Sequence, residues 1–238
     1  MTINFKGLRV LNTRPLHQGH ELNLAIERAG GIAIHLPTIE IHPLPLCNHP
    51  PLADINQSIF TSVNAVTCYF RAQTSFFWPK TLLTTAIGTA TKHMLLTYGV
   101  DNVQCPAHHD SEHLLQLQSF MQITAQTILL IKGKGGRTLI ENTLKQRGAN
   151  INIIDIYTRQ LPNINLTELQ ILCQNDNIDI ILITSEQSMH NLLLLLGPQA
   201  ATWIYTKPCI VISQRLAKLA ALQGFKDIKV YEYSNITK

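Results

Sequence analysis

The sequence predicts an α/β protein of two like lobes, each built on a parallel sheet. Three observations predict it. Short β-branched apolar runs alternate with amphipathic stretches of about a dozen residues, the pattern of βαβ units. Three strand–helix units recur in the same order. Two Ile-rich, proline-marked segments, 36–45 and 153–162, each follow a strand–helix–Gly–strand unit, as matched linkers would.

Strands are expected at 8–12, 33–36, 58–61, 85–87, 102–105, 127–131, 150–154, 179–184, 209–212 and 228–231, with helices between most of them. Leu22, Ala25, Ile26 and Ala29 form one face at helical spacing, ended by Gly30-Gly31. Ile140 and Leu144, ended by Gly148, repeat that pattern, and so do Leu216, Leu219, Ala220 and Leu222, ended by Gly224. The repeat is visible in the residues themselves. Ile59-Phe60-Thr61-Ser62 is echoed by Leu182-Ile183-Thr184-Ser185, and Ala86-Ile87-Gly88 by Val211-Ile212-Ser213. The interval from Gly88 to Gly99 equals that from Ser213 to Gly224. Residues 47–51, with Pro50-Pro51, read as loop. Two like lobes would make a cleft, the first place to look for function.

Composition narrows the class. With 238 residues, 45% hydrophobic and 14% charged, the chain can bury a core in each half and is not disordered. No apolar run reaches the ~20 residues of a membrane span, and the start has no signal-peptide pattern, so a cytoplasmic protein away from membranes is expected. Five cysteines (Cys47, Cys68, Cys105, Cys173, Cys209), an odd number without a close pair, read as free thiols. The net charge of +4 comes without a run of Lys and Arg, which argues against nucleic acid and leaves an anionic small molecule as the easier partner.

Several motifs carry two readings each. Thr61-Ser62 and Thr184-Ser185 sit where a strand ends and a helix begins. Such hydroxyls cap helices, and the same helix ends attract carboxylates. Gly88-Thr89 and Ser213-Gln214 offer the equivalent edge at the next strand. Lys132-Gly133-Lys134-Gly135-Gly136-Arg137 lacks both G-x-x-x-x-G-K-[ST] and G-x-G-x-x-G, so it is read as an anion cradle or an exposed turn, not a nucleotide loop. Arg14 holds the matching place after the first strand, as a bidentate carboxylate partner or a solvated arginine. In 108–113, His108, His109 and His113 fit no standard metal-ligand spacing, and Asp110 or Ser111 reads as a helix cap. His17 and His20 are no better as ligands. No metal and no cofactor is expected, and no G-x-S-x-G nucleophile motif occurs.

In order along the chain, Leu11-Asn12-Thr13-Arg14-Pro15, Ala29-Gly30-Gly31, Pro37-Thr38-Ile39-Glu40-Ile41, Ile59 to Val66, Ala86 to Thr91, Ser111-Glu112-His113-Leu114-Leu115, Gly135-Gly136-Arg137 and Tyr157-Thr158-Arg159 resemble the uroporphyrinogen-III synthase family. The resemblance implies two flavodoxin-like (Rossmann-like) domains joined by a two-stranded connector. One would comprise 1–37 with 162–238, the other 43–156, with 38–42 and 157–161 as connector. A plain tandem of 1–120 and 121–238 is the alternative. Nothing in the sequence suggests an obligate interface, so a monomer is expected. The resemblance further implies the cyclisation of hydroxymethylbilane to uroporphyrinogen III, with loss of water and inversion of ring D. Its carboxylates would meet Arg14, Thr61, Ser62, Asn64, Gly88, Thr89, Lys132, Arg137, Ser185 and Ser213. Tyr157, matching the family's tyrosine, is the candidate general acid, with a packing role in the hinge as the other reading. Two rivals are a two-lobed small-molecule binding protein without activity and a nucleotide-sugar transferase.

Overall fold

The computed structural model describes residues 4–46, 50–73 and 77–231. Cys47 and most of the 47–51 loop lie outside them, as does the His17 side chain. In chain order the elements are β1 (Arg9–Asn12), α1 (Leu16–Arg28), β2 (Ile32–His35), β3 (Glu40–Pro43), β4 (Gln57–Phe60), α2 (Val63–Arg71), β5 (Leu83–Ala86), α3 (Thr89–Thr97), β6 (Val103–Gln104) and α4 (Ser111–Leu114). They continue with β7 (Thr127–Gly133), α5 (Leu139–Gln146), β8 (Asn150–Gln160), α6 (Leu166–Gln174), β9 (Ile180–Ile183), α7 (Glu186–Ile204), β10 (Cys209–Val211), α8 (Gln214–Gln223) and β11 (Ile228–Val230).

The chain divides into two compact units, Met1–Glu40 with Gln160–Lys238, and Ile41–Arg159. The first holds a five-stranded sheet in the order β11-β10-β9-β1-β2, and the second a six-stranded sheet in the order β3-β8-β7-β4-β5-β6. Among β4 to β8, and within the whole first sheet, the neighbours are parallel. Renumbered from β1 and from β7, both sheets follow the flavodoxin-like order 2-1-3-4-5. The repeat is therefore permuted: the first unit begins with its β1–α1–β2 module, while the second begins with the module that corresponds to β9–β11. A tandem cut near residue 120 fails, because it would separate β4 from its partner β7.

The apolar runs are explained by helices on both faces of each sheet. Side chains alternate, so Ile59 of β4 joins Ile128, Leu130, Phe120 and Leu144 on one face, while Phe60 joins the rings of Tyr69, Phe70 and Trp78 on the other. Those three rings lie 5.7, 5.8 and 5.7 Å from that of Phe60. Truncation of Phe60 to Ala would cost about 3–5 kcal/mol. In the first unit Leu182 and Val10 pack on one face with Ile26, and Ile181, Ile183 and Leu11 on the other.

Two expectations needed correction, and one helix shows a break. The eighth strand does not end at residue 154 but runs on to Gln160. Leu222 is 82% exposed, so the face of α8 is Leu216 and Ala220, with Leu219 partly covered. The helix after β9 is broken at Gly197, whose φ of 69° precedes Pro198, a residue that cannot continue the backbone ladder. Cys68, Cys105, Cys173 and Cys209 are free thiols, and burial pushes that of Cys209 up to about 12.

Candidate functional site

In a sheet of this order the chain leaves the central strands in opposite directions, opening a crevice at their carboxyl ends. In the first unit that point lies between β1 and β9, and in the second between β7 and β4. The residues expected to bind substrate fall on these edges or on the next strand. Arg14 and Ser185 lie at the first switch point, with Ser213 after β10. Thr61, Ser62, Lys132 and Arg137 lie at the second, with Gly88 and Thr89 after β5.

Three serines cap the helices that start here. Ser62 accepts from the Ala65 N–H at 3.0 Å, Ser185 from that of Ser188 at 3.0 Å and Ser213 from that of Leu216 at 3.2 Å. Gly88 opens α3 without a side-chain cap, and a Cβ there would lie 2.8 Å from the His109 ring. Asn64 is buried in the first turn of α2. Asp110 caps α4 by accepting from the His113 N–H at 2.8 Å, and this bond, with the neighbouring imidazole, holds its carboxyl below the usual range. No metal-binding cluster occurs among the described residues.

In the first unit a chain of three buried side chains is satisfied internally. Asn191 donates to the Thr38 carbonyl at 2.7 Å, Thr38 Oγ1 to the Thr13 carbonyl at 3.1 Å, and Thr13 Oγ1 to the Leu182 carbonyl at 3.1 Å. All three side chains are buried. Arg14 bonds Gln18 Oε1 at 3.2 Å, and its carbonyl contacts His35 Nε2 at 2.9 Å.

The second unit is built differently. A cavity of about 210 Å³ is lined by Thr61, Lys132, the glycines of the 133–136 loop, Arg137 and Arg159. Gly135 and Gly136 have φ of 76° and 82°, the left-handed region glycine enters without strain, which turns the loop sharply. Arg137 is paired with Glu112 through both terminal guanidinium nitrogens, one of them at 3.2 Å, and that bond lowers the Glu112 carboxyl. The cation expected to meet substrate thus already has a carboxylate.

Tyr157, expected in a linker, lies within β8 and is fully buried. The cause is a register shift: Lys132 pairs with Asp155 but Gly133 with Tyr157, so β8 carries one extra residue. Such a bulge re-aims the side chains that follow, and here both Ile156 and Tyr157 turn into the core. Gly133 makes room, since a Cβ there would lie 2.5 Å from Tyr157 Cζ. The phenol oxygen is 3.0 Å from Ser62 Oγ and accepts from Arg159 Nη2 at 2.8 Å. The candidate residues Ser62 and Tyr157 are therefore in contact. Of the second unit's candidates only Thr61, Lys132 and Arg137 line the cavity, not Ser62, Asn64, Gly88, Thr89 or Tyr157. Arg159, Thr38 and Asn191 did not stand out as site residues in the sequence. Arg159 had one signal, its place two residues beyond Tyr157 on one strand.

Comparison with known proteins agrees with this architecture. A family model described as uroporphyrinogen-III synthase HemD matches residues 20–236. The uroporphyrinogen-III synthase of Escherichia coli (strain K12) is 31% identical over 235 residues, covering 94% of each chain. That of Salmonella typhimurium is 29% identical, again over 94% of each chain. Among solved structures, a mutant uroporphyrinogen III synthase of Thermus thermophilus superposes with a TM-score of 0.64 at 14% identity, covering 97% of this chain and 95% of the other. The Helicobacter pylori 26695 enzyme gives 0.63 at 17% identity, covering 97% and 96%. At those identities the structures speak for the fold alone. With a family match over most of its length, the chain belongs to the uroporphyrinogen-III synthase family.

Proposed function

We propose that the protein is a uroporphyrinogen-III synthase, a cyclising hydro-lyase of heme biosynthesis. It converts hydroxymethylbilane to uroporphyrinogen III with loss of water and inversion of ring D. The observation that carries this reading is the cationic, glycine-lined cavity at the switch point of the second unit, in a chain of this family. A substrate with eight carboxylates needs donors spread over a wide surface. Loop amides, hydroxyls and the side chains of Arg14, Thr61, Ser62, Asn64, Thr89, Lys132, Arg137, Ser185 and Ser213 supply them, with Gly88 leaving the start of α3 open. The protein acts as a monomer in the cytoplasm, without nucleic acid, membrane or cofactor.

The reaction starts when the ring A hydroxymethyl oxygen is protonated and leaves as water, giving an azafulvene cation. Ring D attacks through its substituted carbon, the spiro intermediate opens, and the ring closes inverted. The enzyme's main contribution is to hold the ends of the bilane for that attack instead of the direct closure. Tyr157 is the proposed proton source. Because its phenol is buried, the proton passes by way of Ser62: Tyr157 gives its proton to Ser62 Oγ as Ser62 gives its own to the leaving oxygen. Tyr157→Phe is expected to lower kcat while the protein still melts cooperatively; wild-type turnover would remove Tyr157 from the chemistry. The function itself is tested by giving the protein hydroxymethylbilane, oxidising the product and separating the porphyrin isomers. An excess of the type III isomer is expected, and type I alone, at the rate without enzyme, would refute the proposal.

A further inference from the structure

We propose that Arg159 is a carboxylate anchor of the second unit's edge and that Tyr157 is the post that holds it. The proposal rests on the reading of the substrate as a polycarboxylate. Arg159 lines the cavity with Lys132 and Arg137, and it differs from Arg137 in its partner. Arg137 is neutralised by Glu112, whereas the partner of Arg159 is the uncharged phenol of Tyr157. One of its five N–H donors is used there, and among the described residues no carboxylate forms an ion pair with it.

The geometry fixes the guanidinium in two ways. Nη2 donates to the phenol oxygen at 2.8 Å, and the guanidinium carbon lies 5.2 Å from the centroid of the same ring. The ring itself cannot drift: it is fully buried, faces Gly133 across the ladder and is bonded to the helix-capping Ser62. Arg159 is otherwise exposed, two residues farther along β8. A flexible cation held in advance by a rigid ring loses less freedom when it binds a carboxylate, and a planar fork can then bind both oxygens.

The test is steady-state kinetics with hydroxymethylbilane on Arg159→Gln, Arg159→Lys, Tyr157→Phe and the double variant Arg159→Gln/Tyr157→Phe, each checked for an unchanged melting profile. Inhibition by the octacarboxylate product is measured in parallel. Arg159→Gln is expected to raise KM and the inhibition constant about tenfold, the loss of one charge-assisted contact. Arg159→Lys, which keeps the charge without the fork, recovers part of that. Tyr157→Phe raises KM about threefold, whatever it does to kcat. The double variant shows the KM of Arg159→Gln alone, because the post has nothing left to hold. An unchanged KM and inhibition constant in Arg159→Gln would overturn the anchor, and simple multiplication of the two KM effects would overturn the post. If the wild-type protein forms no type III isomer, the functional reading fails and the anchor with it. If it forms that isomer while Arg159→Gln binds normally, only the anchor fails.

Discussion

At the switch point of the first unit, Asn191, Thr38 and Thr13 pass a chain of buried hydrogen bonds to the end of β9. At the same point of the second unit, the strand ends carry lysine, glycines and arginines around an open cavity, and the buried polar side chains include Tyr157 and Asn64. Strand order is the same in both, and so is the serine at the start of the facing helix. What differs is the destination of the donors. In the first unit the Asn191, Thr38 and Thr13 donors are spent on the unit's own backbone, where loss of one leaves a buried acceptor unpaired. In the second, Arg137 is paired with Glu112, while Lys132 and Arg159 form no ion pair among the described residues and line the cavity. The framework is shared, while the chain of buried polar side chains and the cavity cations sit at different edges.

The largest effect is expected from one glycine of each unit, changed in parallel. Gly133→Ala would drive a methyl group into the Tyr157 ring, which has nowhere to go, and is expected to cost about 3 kcal/mol with more than a tenfold fall in kcat/KM. Gly19→Ala would place its methyl 2.1 Å from His35 Nε2, but that is the far end of a half-buried side chain that can swing aside. Its cost is expected to stay below about 1 kcal/mol. Thermal melting of both variants, with kinetics of both, decides; equal effects would remove the distinction.

A smaller effect concerns the other end of the first sheet. Arg9 binds Asp179 through Nη2 at 2.7 Å and Nε at 2.9 Å, and these bonds hold the carboxyl at about 2. A lowered carboxyl stabilises the fold above its unfolded value near 4, and the stabilisation is lost as pH falls toward 2. Allowing for partial exposure of both groups, the pair is worth about 1–2 kcal/mol at neutral pH. Asp179→Asn should therefore melt below wild type at pH 7, with the gap closing between about pH 4 and pH 2. A gap that persists at pH 2 would assign the loss to something other than charge.

The smallest effect isolates the paired arginine. Glu112→Gln should leave stability unchanged, since the pair is exposed. By freeing Arg137 it should lower KM about two- to threefold. An increase in KM would show that Glu112 positions Arg137 and does not compete for it.

Much of this was legible in the sequence because it follows from local chemistry. Apolar runs such as 180–183 and 128–131 announce strands covered on both faces, and Asp110 and Ser62 announce caps. The repeat announced two like units. What stayed hidden depends on register between distant segments. The bulge opposite Lys132 and Gly133 turns Tyr157 into the core and brings it to Ser62, which the order of residues along β8 cannot reveal. The pairing of Arg137 with Glu112 joins helix α4 to the loop after β7, 25 positions apart. Likewise the Asn191–Thr38 bond spans the whole second unit in sequence, so these polar residues looked like ordinary loop and helix positions.

The division of labour between the edges is tested most directly by Lys132→Gln and Thr38→Val, each measured for both KM and thermal stability. Lys132→Gln should raise KM severalfold with its melting temperature unchanged. Thr38→Val should lose about 1–3 kcal/mol of stability while KM stays at the wild-type value. A Thr38→Val enzyme that is stable but binds poorly, or a Lys132→Gln enzyme that melts early and binds normally, would contradict it.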